Sequence, residues 1–556
     1  MEDIYQDPSL SYILLFCSQK QGAYGKVQIF KEPLWKQLLH LDEVVYAFML
    51  LVSQKLFATT TSTSTAKRSK YLQQQEQQQQ YSGKMVPLLL QEDLEWCNDM
   101  LGKVSRSFAA VIRALPDQLM IDVLIFYLVL RALDTVEDDM NAFQDSSSSS
   151  SNNPTKTKIH LLRNFYKEAL GFQGSTTSTG EPQQPQVQQS AEAWSLDGVG
   201  EGDELTLLQE FPRVQRIFGA LSTESQTIIA DITKRMGGGM AEMLDKDFSQ
   251  GTTDVAHYNK YCHYVAGLVG EGLSRLFAQS GLEESYFATE LYLSDQMGLF
   301  LQKTNIIRDY LEDYVEGRAF WPQSIWKKHT NGTNELGYFI FKNQTDAEKV
   351  SEIKLHAMSC LNEMVTNALE HVPACLAYLS ELQCLQVFRF CAIPQVMAVA
   401  TLEKCYGNLN VFEGVVKIRK GLACKLLTRT NNIDSVHEVF YTMAKSIEAK
   451  AYRLKQSGFE DPSLNSLLDA CDVIFAITEP AHKRQMRAKL LPVLFVAAVV
   501  ACTNIPILSI VLAVLAIFNY YFGPFLFQGS SPNNTNPALL VIPRLWKEVM
   551  GKKRFR

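Results

Sequence analysis

The chain has 556 residues, 46% of them hydrophobic, so it is long enough to bury a large core. Its 53 basic and 59 acidic residues give a formal net charge of −6, which excludes the overall basic signature of a nucleic-acid-binding protein. Eleven cysteines without any Cys-x-x-Cys pair argue against a disulfide framework or a zinc module and favour reduced cytosolic thiols. Because of the net negative charge, we predict no nucleic-acid partner.

Residues 1–85 are predicted to be an N-terminal extension, of which residues 1–58 are interpreted as functionally silent. The chain begins Met1-Glu2-Asp3 and lacks the basic segment of a secretory signal. Residues 44–52 are apolar, but a bilayer span takes about 20 residues. Residues 1–58 are expected to be helix-rich, whereas a Thr/Ser run at 59–65 and a Gln run at 73–80 predict a disordered linker.

Residues 86–460 show helical hydrophobic periodicity with little strand alternation, which predicts one large all-α domain. Two polar inserts interrupt this pattern. One lies near 145–158 and contains a run of serines, and the other lies near 174–204 and is rich in Ser, Thr, Gln, Pro and Gly. Since loops between helices lengthen at low entropic cost, we predict that both inserts are surface loops.

An acidic stretch, 131–139, directly follows the apolar run 123–130. On a continuous helix Asp134, Glu137 and Asp138 share one face, a turn beyond Arg131. A single acidic run is usually a solvated helix end. Like charges at this spacing destabilise a helix and carboxylates resist burial, so a positive group is expected against this face.

A second acidic stretch has a similar spacing. Gln302, Asn305, Asp309 and Asp313 step by three, four and four residues and share one helical stripe, next to Arg308. Two such helices could oppose each other across a cleft and present hard oxygen ligands. Mg²⁺ binds one or two carboxylates together with phosphate oxygens, so we predict a magnesium site and a diphosphate substrate.

Six longer stretches resemble squalene synthases, within the squalene/phytoene synthase family. They follow the family's order and cover roughly residues 95–425 apart from the inserts. These stretches are SRSFAAVI at 105–112, YLVLRALD at 127–134, YCHYVAGLVG at 261–270, MGLFLQKTN at 297–305, FCAIPQVMA at 390–398 and VKIRKG at 416–421.

This resemblance implies an isoprenoid-synthase helical domain around a dry central cavity, which keeps water from carbocations. It implies head-to-head condensation of two farnesyl diphosphates to presqualene diphosphate, followed by NADPH-dependent reductive rearrangement to squalene in sterol biosynthesis. The alternative is a non-reducing phytoene- or dehydrosqualene-type synthase, which shares the first half-reaction. The stretches at 390–395 and 416–421 and the apolar C-terminus favour squalene.

The resemblance also implies site residues. The expected cofactors are Mg²⁺, with Mn²⁺ as a substitute, and NADPH. The predicted metal ligands, whose aspartates are also predicted to be catalytic, are Asp134, Glu137, Asp138, Asp309 and Asp313. The arginines predicted to bind diphosphate and cofactor through their donor forks are Arg106, Arg131 and Arg308. The other predicted substrate contacts are Ser107, Tyr127, Gln302 and Asn305.

Four further residues take roles from the resemblance. Tyr261 matches a tyrosine of the first half-reaction, and Phe390 an aromatic of the reductive one, whose π-face can stabilise a carbocation. Lys417 and Arg419 match the NADPH-binding pair. The competing interpretations are core packing for the aromatics and a solvated surface for the basic pair. His263 is predicted to be structural.

Several glycines flank these stretches, at 237–239 and at 267, 270 and 272. A dinucleotide fingerprint needs a preceding strand, which the pattern lacks, so the expected role is close helix packing or thinning of a cavity wall. Glu271 stands where the resemblance leads us to expect an apolar residue, and it places a charge near the predicted cavity wall.

The C-terminus is predicted to be membrane-bound. Residues 461–489 are predicted to be a basic linker, 490–527 an uncharged anchor, and 528–556 a basic tail. The anchor is either one span or a hairpin divided at Pro506. Flanking basic residues predict a catalytic domain facing the cytosol, and the resemblance implies the endoplasmic reticulum membrane. We expect a monomer.

Two other classes of protein fit the sequence less well. A carboxylate-bridged di-iron bundle needs Glu-x-x-His on two helices, and the spacing from Glu479 to His482 contains Pro480. A non-catalytic membrane scaffold would not need paired acidic helices.

Overall fold

A computed structural model describes residues 27–30, 40, 43, 90–139, 142–143, 154–173, 186–187, 194–244, 249–342 and 344–502. The predicted Gln-rich linker, most of the insert at 145–158 and the basic tail at 528–556 lie outside these residues. The chain divides into two compact units, one of residues 1–19, 49–248 and 256–298, and one of residues 20–48, 249–255 and 299–556.

The first unit is helical, with one two-stranded antiparallel ribbon. Its described α-helices are α1 (Gln91–Val104), α2 (Arg106–Arg113), α3 (Asp117–Asp138), α4 (Pro154–Glu168), α5 (Asp203–Gln209), α6 (Phe211–Ala220), α7 (Thr223–Leu244), α8 (Val255–Cys262) and α9 (Leu268–Gln279). A π-helical turn, His263–Gly267, joins α8 to α9. The ribbon pairs β2 (Phe172–Gln173) with β3 (Gln186–Val187). Strand β1 (Gln28–Phe30) belongs to the second unit.

The second unit continues from α10 (Tyr292–Arg308), which crosses the unit boundary. Its other described helices are α11 (Tyr310–Val315), α12 (Gln323–Trp326), α13 (Ala347–Leu369), α14 (Val372–Glu381), α15 (Leu385–Cys405), α16 (Lys420–Thr428), α17 (Ile433–Gln456) and α18 (Leu464–Cys502). Its sheet is a parallel pair, β1 (Gln28–Phe30) with β4 (Gly414–Val416). The predicted all-α class is confirmed.

Helix α3 forms the core of the first unit because its apolar run is buried on nearly every side. Val123, Leu124 and Ile125 are at most 1% exposed, and burial continues to Val136 near the acidic end. The helix packs on α1 and α7, and α7 packs on α4. The predicted continuation of this helix into the acidic stretch is confirmed.

The glycines allow the close helix packing that was predicted. A Cβ atom on Gly237 would lie 2.1 Å from the Leu162 carbonyl oxygen, and one on Gly270 would lie 2.3 Å from that of Ser294. Gly272 leaves room for the Phe126 ring, which a Cβ would approach to 2.5 Å. The helix backbones therefore approach each other where a side chain would not fit.

Helix α15 is the one described helix that has the length and hydropathy of a membrane span. Its apolar window is 72% buried within the protein, which makes it a core helix of the second unit. Of the predicted anchor at 490–527, α18 covers the backbone as far as Cys502. The remainder lies outside the described residues, so the anchor stays a prediction.

The structure differs from the predicted bounds of the linker and of the two inserts, and from the predicted silence of the N-terminal extension. The linker predicted at 461–489 is mostly helix α18, which buries Leu467, Cys471 and Ile474 and packs along α17. Helix α4 begins inside the insert predicted at 145–158, and α5 inside the one predicted at 174–204. The N-terminal extension contributes β1 to the second unit, although it was predicted to have no role.

Candidate functional site

The first acidic cluster lies at the C-terminal end of α3, where the helix leaves the core. Asp138 is exposed and Asp134 and Glu137 are partly exposed, as the helical spacing predicts. Burial raises the pKa of Asp134 to about 7; Arg131 opposes this rise, while the negative charges of Asp138 and Glu204 add to it. This end of the helix therefore carries more negative charge than its arginine neutralises.

Two residues that hold this cluster were missed by the sequence interpretation. Glu204 forms an ion pair with Arg131. The buried Lys158 donates from Nζ to the carbonyl oxygens of Glu137, at 2.6 Å, and Asp139, at 2.9 Å. A lysine at a helix C-terminus satisfies free carbonyls and complements the helix dipole. Both residues were assigned to surface inserts.

The second acidic cluster spans a break between α10 and α11. Asp309 has φ −99° and ψ 15°, and the helix resumes at Tyr310. The stripe is nevertheless retained, because the Asp309 and Asp313 N–H groups donate to the carbonyls of Asn305 and Asp309. Arg308 binds the Asp309 carboxylate through two nitrogens, at 2.7 and 2.5 Å.

Two carboxyl groups of this second cluster have raised pKa values. Burial raises the pKa of Glu312 to about 8, and the Asp309 and Glu316 carboxylates add to the rise. Burial also raises the pKa of Asp313 well above its ordinary value, against the effect of Arg318, whose Nη2 lies 3.5 Å from its carboxylate. Sequence spacing did not single out Glu312, which adds a further carboxylate here.

The other predicted substrate contacts are distributed over both units. Tyr127 lies one turn before Arg131 on α3, and burial raises its pKa. Gln302 is half-buried and Asn305 is exposed on α10. Arg106 and Ser107 begin α2; their side chains lie outside the described residues. The first cluster belongs to the first unit and the second cluster to the second unit, and their opposition across a cleft stays a prediction.

Tyr261 is buried near the end of α8, directly before the π-helical turn. Turns of this kind occur frequently at functional sites. His263 Nδ1 lies 2.7 Å from Asp295 Oδ1, in agreement with a structural histidine. The same carboxylate occupies the space beside Gly267, where a Cβ would lie 1.9 Å from Oδ1. Asp295 thus packs into the turn that follows Tyr261.

Glu271 is buried and its charge is compensated, since Oε2 lies 2.7 Å from Arg235 Nη1. The ligand atoms of Glu271, His263 and Asp295 lie within 4.8 Å of one another. Arg235 and His263 already pair with the two carboxylates, and we assign no metal to this group.

Phe390 and the basic motif lie in the second unit. Phe390 is 6% exposed on α15, one turn before Pro394. Lys417 and Arg419 lie between β4 and α16. Arg419 is bound by Glu43, which the sequence interpretation placed in a silent extension. The alternative of a solvated basic surface does not hold for Arg419, because its side chain is only 11% exposed.

The helical fold and the two carboxylate-and-arginine clusters define an all-α isoprenoid synthase. A family model described as Squalene/phytoene synthase matches residues 101–421, which include both clusters, Tyr261 and Phe390. The chain belongs to the squalene/phytoene synthase family.

Curated relatives agree with this assignment. Squalene synthase BSS of Botryococcus braunii is 42% identical over 423 residues, covering 74% of this chain and 80% of the relative. The squalene synthase of Homo sapiens is 44% identical over 358 residues, covering 64% and 74%. A solved structure, TcSQS in complex with the ligand BPH1237, has 36% identity and a TM-score of 0.58, and covers 70% of this chain and 99% of that one.

Proposed function

We propose that this protein converts two farnesyl diphosphates to presqualene diphosphate and diphosphate. It then converts presqualene diphosphate, NADPH and a proton to squalene, diphosphate and NADP⁺, within sterol biosynthesis. The observation that carries the proposal is the pair of carboxylate clusters, each with an arginine, inside the matched residues 101–421. The curated relatives named squalene synthases support squalene as the product.

The carboxylate clusters fit a divalent cation. Asp134 and Asp313 have raised pKa values because burial and neighbouring carboxylates disfavour their charged forms, which a cation would reverse. The ligands proposed are Asp134, Glu137, Asp138, Asp309 and Asp313. Mg²⁺, or Mn²⁺ in its place, supplies charge neutralisation for a diphosphate leaving group.

The arginines next to the clusters are proposed to bind the diphosphates. Arg131 and Arg308 are each paired with a carboxylate, Glu204 and Asp309, so both side chains are held beside the clusters. Guanidinium donor forks suit phosphate oxygens and stay charged throughout turnover. By the resemblance, Arg106, Ser107, Tyr127, Gln302 and Asn305 are further contacts.

Tyr261 and Phe390 are proposed to act in the first and second half-reactions. The buried Tyr261 hydroxyl can move a proton or stabilise a cation, and the buried Phe390 ring offers a π-face without a nucleophile. Lys417 and Arg419 are proposed to meet the NADPH phosphates, together with Arg106, Arg131 and Arg308.

The membrane assignment is also part of the proposal. The uncharged stretch 490–527, with basic residues on both sides, supports a membrane anchor with the catalytic domain in the cytosol. The endoplasmic reticulum is proposed as the membrane because of the family resemblance. The chain is proposed to act as a monomer.

The test uses the full chain solubilised in detergent and incubated with farnesyl diphosphate and Mg²⁺, with and without NADPH, and product identification by mass. We expect squalene only with NADPH, and presqualene diphosphate without it. A product that is the same with and without NADPH would identify the non-reducing alternative. Consumption of farnesyl diphosphate without added divalent cation, in the presence of chelator, would contradict the metal assignment.

A further inference from the structure

The Arg419 guanidinium is held by a carboxylate from the N-terminal part of the chain. Glu43 is 4% exposed and accepts from Arg419 Nε at 3.0 and 3.2 Å and from Nη2 at 2.5 Å. A side-on contact of this kind uses two nitrogens of the donor fork, as a phosphate would. His40 lies further away, with Nδ1 3.9 Å from Glu43 Oε1.

Two further contacts join the N-terminal part of the chain to the segment around Arg419. Strand β1 pairs with β4 in parallel register, Gln28 opposite Gly414, and a Cβ on Gly414 would lie 2.0 Å from the Gln28 carbonyl oxygen. The Glu43 side chain also lies against Gly421 in the first turn of α16, where a Cβ would approach Glu43 Oε2 to 3.0 Å. Anions are favoured at a helix N-terminus, so the position of Glu43 beside the first turn of α16 adds to the attraction of Arg419.

We infer that Glu43 is an intramolecular competitor of the cofactor's phosphate at Arg419 and thereby sets the affinity for NADPH. This inference rests on the proposed function, which assigns Lys417 and Arg419 to NADPH. The Glu43 carboxylate neutralises Arg419 and uses the donors that would bind a phosphate. A phosphate can bind there only as Glu43 withdraws, so the carboxylate lowers the observed affinity by the cost of separating the ion pair.

The experiment measures the dissociation constant for NADPH of the full chain in detergent by titration calorimetry, without farnesyl diphosphate. Glu43→Gln keeps the side-chain shape and removes the charge, and we expect NADPH to bind about tenfold more tightly. The same variant should melt at a lower temperature, because the buried pair with Arg419 is lost. Glu460→Gln, at an exposed position of the same unit, is the matched control for the change in net charge.

The sign of the affinity change separates competition from a structural role. If Glu43 only supports the fold, Glu43→Gln will lower the melting temperature and leave NADPH affinity unchanged or weaker, which would overturn the inference. Arg419→Ala tests the proposed function separately and should weaken binding. Unchanged NADPH binding by Arg419→Ala would remove Arg419 from the cofactor site. Weakened binding by Arg419→Ala without tightening by Glu43→Gln would overturn the inference alone.

Discussion

Asp134 and Asp309 allow the two-cluster proposal to be tested at single residues. Asp134→Asn and Asp309→Asn each keep the side-chain shape and remove a charge that is proposed to hold the cation. We expect turnover to fall by at least about 10²-fold in either variant, the cost typical of losing one preorganised electrostatic contact. Product formation from farnesyl diphosphate measures the effect, and melting temperature reports the fold.

The matched control is Asp117→Asn, which removes an exposed carboxylate from the first turn of the same helix as Asp134. It should retain normal turnover. Because Asp134 lies among like charges, Asp134→Asn should melt no lower than the parent protein when the cation is absent. Near-normal turnover in both cluster variants would contradict the two-cluster mechanism.

At the scale of residues, spacing predicted the carboxylate face of α3 but not what holds it. Asp134, Glu137 and Asp138 follow helical periodicity, which is local and readable in a sequence. Glu204 and Lys158 come from polar stretches that read as loops, and their contacts with α3 depend on tertiary packing. Neither contact has a local signal.

At the scale of elements, α7 contains two adjacent glycines whose substitution by alanine should change the stability of the protein in opposite directions. Gly237→Ala would force a methyl group against the Leu162 backbone, and overpacking of this kind costs about 1–3 kcal/mol. Nothing lies within 4 Å of a Cβ on Gly238, so Gly238→Ala should stabilise the helix by about 0.5–1 kcal/mol. Thermal melting should move in opposite directions, and a fall in both variants would contradict this packing.

Helix α17 contains a buried histidine that couples stability to pH. Burial lowers the pKa of His437 to about 4, from an ordinary value of 6.5. Between about pH 4 and pH 6.5 the folded protein keeps this histidine neutral, whereas the unfolded chain protonates it. The stability that this group contributes is therefore complete above pH 6.5 and is lost as the pH falls towards 4. The loss contributed by this group is about 3 kcal/mol.

His437→Gln should remove that contribution, so its melting temperature should fall less than that of the parent protein between pH 7 and pH 4.5. His160→Gln, at a side chain that is 71% exposed, serves as the control and should keep the parent's pH dependence. An identical pH dependence in His437→Gln and the parent protein would mean that His437 does not titrate differently on unfolding.

The elements that the sequence predicted best are the long helices with apolar faces. Helix α3 was predictable from its apolar run. The break at Asp309 between α10 and α11 was not, because no proline or glycine stands there to indicate the end of a helix. Strand β1 has three residues, too few for an alternating pattern, and its partner β4 follows more than 380 residues later. Such a pairing is decided by tertiary contacts alone.

At the scale of the whole molecule, composition alone gave a wrong prediction for a polar stretch that packs on its neighbours through one face. Residues 461–489 read as a basic linker because lysines and arginines cluster at its end. In the structure His482 stacks on Tyr441 at 4.0 Å and pairs with Glu438 at 2.6 Å, and Arg484 binds Asp434. The folded part of the second unit therefore extends beyond the predicted domain end at residue 460.

Two truncations test this boundary together with the anchor. A chain ending at residue 489 keeps the packed part of α18, so it should melt near the parent's temperature, retain turnover and move from the membrane to the soluble fraction. A chain ending at residue 460 uncovers α17 and loses the buried Leu467, Cys471, Ile474 and Ala481. Lost burial on this scale costs on the order of 5 kcal/mol or more, comparable with a domain's entire stability.

We therefore expect the chain ending at residue 460 to be unfolded or aggregated in circular dichroism and size-exclusion measurements. A folded and active protein ending at residue 460 would restore the linker interpretation, since α18 would then be dispensable. A chain ending at residue 489 that stays with the membrane would place the attachment before residue 490. The truncation at residue 460 removes the contacts between α17 and α18, whereas the truncation at residue 489 leaves them and removes only the predicted anchor and tail. Comparing the two chains therefore separates the effect on stability from the effect on membrane binding.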